Sequence, residues 1–275
     1  MKAPLARNAP VAQQRMSSWL ADFTGYRHNV NVETIRLWLD QFAAKDRDLG
    51  ARVLDCVDFV THERVAAAFR NILNSLPGWN VNPIHRIGRW AFVAFSGTPG
   101  ESGDSMLHKF RNANGLGRRQ FGDLFLYKRD LPGAGFGPED NIVFVDDFSG
   151  TGNQAVNAWE EQLEELLPEH PNIYLVLVAA SAAARQRIAE STRMVVNPYF
   201  ELTEADNIFS ENCPHFTEEE KQVLYRYCRR ADTRHPKGYG DCGFVLVFAH
   251  NCPNNSIPVL HATTPKWHAL FRRND

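Results

Sequence analysis

No single sign of charge dominates this chain of 275 residues: 30 Lys and Arg face 32 Asp and Glu, for a formal charge of −2. A global basic field that would draw nucleic acid is therefore absent. Pairs such as Arg118-Arg119 and Arg229-Arg230 leave local nucleic-acid contacts open, beside the ordinary reading of a solvated surface. Long apolar runs are missing too. The longest nearly apolar stretch, Ile173 to Ala184, is too short to cross a bilayer. The N-terminus has no apolar core of a secretory signal, so the expectation is a cytoplasmic protein with no membrane partner. Cysteine is scarce: five residues, an odd number, with no C-x-x-C pair. That disfavours a disulfide framework and the common zinc spacings. Cys213, His215, Cys242 and Cys252 leave a metal open, but free thiols in a reducing compartment are the better reading. There is no internal repeat and no low-complexity linker.

What is present is an ordinary globular composition, 44% hydrophobic and 23% charged. Residues 1–84 read as a helical segment. Val32, Ile35, Trp38, Leu39 and Phe42 recur at helical spacing, a second helix is expected over 48–60, and a third runs from Thr61 to the Pro77-Gly78 stop. From residue 85 the pattern changes. Trp90 to Phe95, Leu124 to Tyr127, Ile142 to Val145, Ile173 to Ala179 and Arg193 to Val196 read as strands. Helices over 105–112, 154–163 and 182–190 are interleaved with them. Such alternation implies an α/β fold, a parallel sheet with helices on both faces. Thr217-Glu218-Glu219-Glu220 is a capping box opening a further helix, and Phe244 to Ala249 is a last strand.

The most informative stretch is Ile142-Val143-Phe144-Val145-Asp146-Asp147-Phe148-Ser149-Gly150-Thr151-Gly152-Asn153-Gln154. A buried strand delivers two acids to its carboxyl end, where open α/β sheets bind ligands. Two glycines then let backbone N–H groups turn inward, and a helix begins. A phosphate there would meet N–H donors, the Ser149 and Thr151 hydroxyls and the positive end of a helix dipole. The acids would repel bare phosphate, but they would accept from sugar hydroxyls or hold Mg²⁺. A ribose 5-phosphate unit satisfies both halves. A buried strand ending in two solvated acids before a glycine turn is the bland alternative.

This stretch resembles the phosphoribosyl-diphosphate (PRPP) motif of type I phosphoribosyltransferases: four apolar residues, two acids, then a Thr-Gly pair in a phosphate loop. The resemblance implies that Asp146 and Asp147 bind the ribose hydroxyls and touch magnesium indirectly through PRPP-Mg. It implies that Ser149, Gly150, Thr151, Gly152, Asn153 and Gln154 wrap the 5-phosphate. Gln154 departs from the Thr or Ser usual there. The family holds the leaving pyrophosphate in a loop after its first sheet strand, and Ser96-Gly97-Thr98 occupies that place. A plain strand-to-helix turn is the alternative for that loop. Glu101 and Asp104 nearby would disfavour pyrophosphate without Mg²⁺ between. The family's mobile cationic loop has candidates in Lys128 and Arg129, and in Arg118 and Arg119.

Beyond the motif, the chain is similar to the bacterial PRTase-CE family, phosphoribosyltransferase-like domains associated with conflict systems. The similarity rests on Trp38-Leu39-Asp40-Gln41-Phe42, on the motif, and on Cys252-Pro253-Asn254-Asn255-Ser256 with Trp267 and Leu270-Phe271. It implies a phosphoribosyltransferase-like domain over 85–275 with a C-terminal extension. It implies an antiphage defence effector, working with a partner such as a reverse transcriptase or a sensor. Two expectations follow: an enzyme that transfers or releases the phosphoribosyl group, or a non-catalytic PRPP or nucleotide sensor or structural subunit of a defence complex.

Overall fold

Asn31 and Thr34 exchange side-chain and backbone hydrogen bonds in a capping box, and Thr217 and Glu220 do the same. Each pair satisfies N–H groups that a helix start leaves without partners. In the computed structural model, which describes residues 13–95, 102–167 and 171–273, these boxes open the second and ninth of ten α-helices. In chain order the described elements are α1 (Gln13–Asp22), α2 (Val32–Leu39), α3 (Arg47–Cys56), β1 (Asp58–Val60), α4 (His62–Ser75), β2 (Trp90–Ala94) and α5 (Ser102–Ala113). There follow β3 (Asn141–Ser149), α6 (Asn153–Ala158), a π-helical turn (Trp159–Leu163), α7 (Glu164–Leu166), β4 (Asn172–Ser181), α8 (Ala182–Ser191) and β5 (Val195–Leu202). The tail adds α9 (Glu218–Ala231), β6 (Leu246–Phe248) and α10 (Pro258–His261).

Two local expectations change. The helix expected to reach residue 60 stops at Cys56, and Asp58–Val60 is a strand paired in parallel with Leu246–Phe248. Val57 and Phe59 fit either period, and the partner strand, far along the chain, decides. The strand expected over 124–127 is instead the end of a 3₁₀ turn (Arg119–Leu124) followed by one parallel bridge, Phe92 to Phe125.

The described chain forms two compact units. One joins the residues up to His62 with those from Thr203 onward. Its core holds Trp19, Trp38, Phe42, Phe59, Trp267 and Phe271, all nearly inaccessible. The indole N–H groups of Trp38 and Trp267 both donate to the Val259 carbonyl, at 2.7 and 2.9 Å. Two large apolar rings thereby enter the core without an orphaned donor. Arg15, also buried, donates to Asp48 and Asp55, and Trp19 Nε1 donates to Asp55 at 2.9 Å.

The other unit spans Glu63–Leu202 and contains a four-stranded, all-parallel sheet in the order β2-β3-β4-β5. Its central strands are buried on both faces, as their unbroken apolar runs require. On one face Phe92 meets Phe110 of α5 at 5.0 Å, and Phe110 meets Phe69 of α4 at 5.5 Å. On the other, Ile142, Phe144, Leu175 and Leu177 pack with Trp159, Leu163 and Ile188. The expected helices on both faces are present. The bridge at Phe125 lies on the outer edge of β2, where Leu126 N–H donates to Phe92 O at 3.2 Å. The chain therefore leaves β2 outward and returns to lay β3 on the inner side. With constant crossover handedness, that reversal sends successive helices to opposite faces. It also makes the carboxyl ends of β2 and β3 the switch point, the place where open α/β sheets bind ligands.

Candidate functional site

Phe95 N–H donates to Val145 O at 3.0 Å, the last bond from β2 to β3 among the described residues. β3 continues to Ser149 beside β4. Asp146 and Asp147 stand just beyond the β2–β3 pairing of the described residues.

Alternation along the strand sends these two acids to opposite faces. Asp146 shares the face of Ile142 and Phe144, while Asp147 shares that of Val143 and Val145. A lysine lies within electrostatic reach of each. Lys128 lies within electrostatic reach of Asp146, with its Nζ 5.6 Å from the centroid of the buried Phe95 ring. Lys109, on α5, lies within reach of Asp147. Burial lowers the pKa of both lysines, and the neighbouring carboxylate only partly offsets this. Asp146 is itself 6% exposed, and its Oδ1 accepts the Asp147 N–H at 3.0 Å.

The loop after the acids is anchored from below. Ser181 Oγ donates to the Gly150 carbonyl at 2.6 Å and accepts the Ala184 N–H at 2.8 Å, so one buried hydroxyl caps α8 and pins the loop. Gly152 has φ +76°, and a Cβ there would lie 3.0 Å from the Ala184 carbonyl oxygen and 3.3 Å from Ile188 Cγ1. Only glycine suits that position on both counts. Gly152 is also the N-cap residue of α6 and offers no side chain to cap it. Thr151 Oγ1 accepts the Asn153 N–H at 3.3 Å. The arrangement suits an anion: inward N–H groups, two nearby hydroxyls and a helix start whose cap residue brings no competing oxygen.

The sequence-derived site residues divide by placement. Asp146, Asp147, Ser149, Gly150, Thr151, Gly152, Asn153 and Gln154 form one continuous strand-loop-helix corner, with Gln154 the most exposed. Lys128 reaches its acidic end. Arg129 does not: its side chain is 81% exposed, lies over the Tyr127 ring at 5.0 Å and pairs with Asp130 at 3.7 Å. Arg118 and Arg119 are exposed. Ser96, Gly97 and Thr98 lie outside the described residues. Lys109 is not among the sequence-derived site residues. Its helical position, three residues after Met106 and one before Phe110, both buried, could have flagged it as aimed toward the sheet.

Among the described residues no group of three or more His, Cys, Asp or Glu is placed to hold a metal, and the five cysteines are free thiols. Burial raises the pKa of the Cys56 and Cys252 thiols to about 12, which leaves both inert as nucleophiles at neutral pH. No helix of the described chain is long and apolar enough to cross a membrane.

Two comparisons bear on this geometry. Set against curated proteins, the chain has no match. The PRTase-CE family model matches residues 35–273, nearly the whole chain and the entire strand-loop-helix corner. The chain belongs to the PRTase-CE family and is a phosphoribosyltransferase-like protein.

Proposed function

We propose that the Asp146–Gln154 corner binds PRPP with Mg²⁺ and that the protein transfers or releases the phosphoribosyl group as an effector of bacterial antiphage defence. One observation carries the reading. Two acids and a glycine loop fixed on Ser181 share the switch point of a parallel sheet, with a lysine within electrostatic reach of each acid. The family match supports a phosphoribosyltransferase-like protein; the ligand, the chemistry and the defence role are inferred.

Asp146 and Asp147 accept from the ribose hydroxyls and hold the ring while C1 gains positive character. The N–H groups of Gly150 to Gln154, with the Ser149 and Thr151 hydroxyls, hold the 5-phosphate. Mg²⁺ arriving with PRPP supplies charge neutralisation at the leaving pyrophosphate. The acceptor, a base, nucleotide, macromolecule or water, forms its bond to C1 as the C1–O bond breaks. The electron pair of that bond leaves with pyrophosphate. Lys128 and Lys109, partly desolvated and within electrostatic reach of the acids, oppose the charge that grows on the leaving group.

The test is incubation with PRPP and Mg²⁺, followed by mass spectrometry for pyrophosphate and ribosylated products. Absence of pyrophosphate release with water and every nucleobase sinks the catalytic reading. The sensor reading is favoured by Gln154 in place of a hydroxyl residue and by Asp104 in the first turn of α5. Calorimetry showing tight PRPP binding without turnover selects it. If Asp146→Asn with Asp147→Asn leaves phage resistance intact, the cradle has no part in defence. A reverse transcriptase or sensor protein is the proposed partner class, and co-purification from the native host tests it.

A further inference from the structure

The unit that lacks the motif holds a cavity of its own, of about 530 Å³. Its wall combines the end of α9, the residues after it, the residues after α10 and Arg273. Four cations line it, Arg230, Arg234, Lys266 and Arg273, against one acid, Asp232. In a chain of formal charge −2 that local excess is a marked departure.

Among the described residues, internal ion pairs do not consume these cations: none of the four has a carboxylate within salt-bridge distance. Arg230 donates to the Gln41 carbonyl at 3.4 Å with its guanidinium 5.8 Å from the Trp267 ring centroid, and Arg273 donates to the Cys252 carbonyl at 3.2 Å. Asp232 is engaged locally, since its Oδ1 accepts the Arg234 N–H at 2.8 Å. Four like charges around one hollow repel one another, and an anion between them removes that cost. The hollow lies in the size range of small-molecule sites and is far larger than one phosphate needs. Apolar surface from Ala231, Ala262 and Pro265 completes the lining, which suits the organic part of a ligand. Concavity and small size favour a compact polyanion over a polymer, which would need an extended basic track.

The geometry points to a second ligand site here, for a small organic polyphosphate of the nucleoside di- or triphosphate class. Every lining residue belongs to the unit without the ribose-phosphate cradle.

The test is calorimetric titration with ATP and with inorganic tripolyphosphate, at low and at high salt. Arg234 and Lys266 are exposed, so Arg234→Glu and Lys266→Glu keep the fold, which a thermal melt checks. Each reversal is expected to weaken ATP and tripolyphosphate at least tenfold, and added salt to weaken both. Asp146→Asn with Asp147→Asn is expected to leave this binding in place. The proposal is overturned if wild-type protein binds neither probe, or if both reversals bind like wild type. It is overturned equally if the Asn pair abolishes binding, or if a short single-stranded oligonucleotide binds more tightly than ATP and the reversals remove that affinity instead.

Discussion

Gly152→Ala probes the cradle at its narrowest point. The φ of +76° puts any Cβ in the left-handed region, which costs roughly 1–2 kcal/mol for an L-residue. The new methyl would sit 3.0 Å from the Ala184 carbonyl oxygen, which belongs to α8 backbone and cannot turn aside as a side chain would. Overpacking of that kind adds about 1–3 kcal/mol. The two contributions share one relaxation, so a total of roughly 2–4 kcal/mol is expected. For a protein of this size that is a fall of about 5–15 °C in melting temperature. Gly133→Ala is the matched control. Nothing lies within 4 Å of a Cβ there, and its φ is not in the left-handed region, so a change within about 0.5 kcal/mol is expected. Thermal melts of both variants, paired with calorimetric titration of PRPP-Mg, form the assay. Gly152→Ala should lose PRPP affinity along with stability, because relief of the clash moves the N–H groups of the loop. A Gly152→Ala protein that melts and binds like wild type would refute the close loop-to-α8 approach and the cradle built on it.

Other substitutions test other parts. Burial lowers the Lys128 pKa; the folded state then releases its proton before the unfolded state does, so this group's contribution to stability rises with pH across that interval. Lys128→Met should accordingly be no less stable at pH 7, while pyrophosphate release falls tenfold or more, as denaturant melts and a release assay will show. Asp140 is buried at the other end of β3; burial alone would raise its pKa, but N–H donors from Gly137 and Arg89 and the Arg89 guanidinium lower it overall. Its contribution to stability is full above the ordinary carboxylate pKa and is lost as pH falls through the lower folded value. Asp140→Asn should cost about 2 kcal/mol at pH 7 and flatten the loss of stability below about pH 4, with PRPP binding unchanged. Trp267→Phe removes one of the two indole donors to Val259 O and leaves a gap beside Trp38. A loss of roughly 1–3 kcal/mol in chemical denaturation is expected.

The sequence by itself determined most of what lies close together along the chain. The Ile142–Val145 run had to be a doubly buried strand. The acids after it had to stand at its end, and the glycines had to form the turn. Thr217 announced its helix by capping chemistry, which acts over three residues. Tertiary structure decided whatever depends on a distant partner. Val57 and Phe59 fit a helix and a strand equally, and pairing with Leu246–Phe248 settled them as strand. Leu124 to Tyr127 looked like a strand, but only Phe125 finds a ladder position, on the outer edge of β2. Trp38 and Trp267 lie more than two hundred residues apart in sequence, yet they share one carbonyl acceptor in one core. The lysines show the same division. Four basic residues between the two loops had equal standing in the sequence, because charge along a chain carries no direction. Folding brought Lys128 to Asp146 and α5 brought Lys109 to Asp147, while Arg129 turned outward. Local chemistry wrote the cradle; only packing could choose the cations that face it.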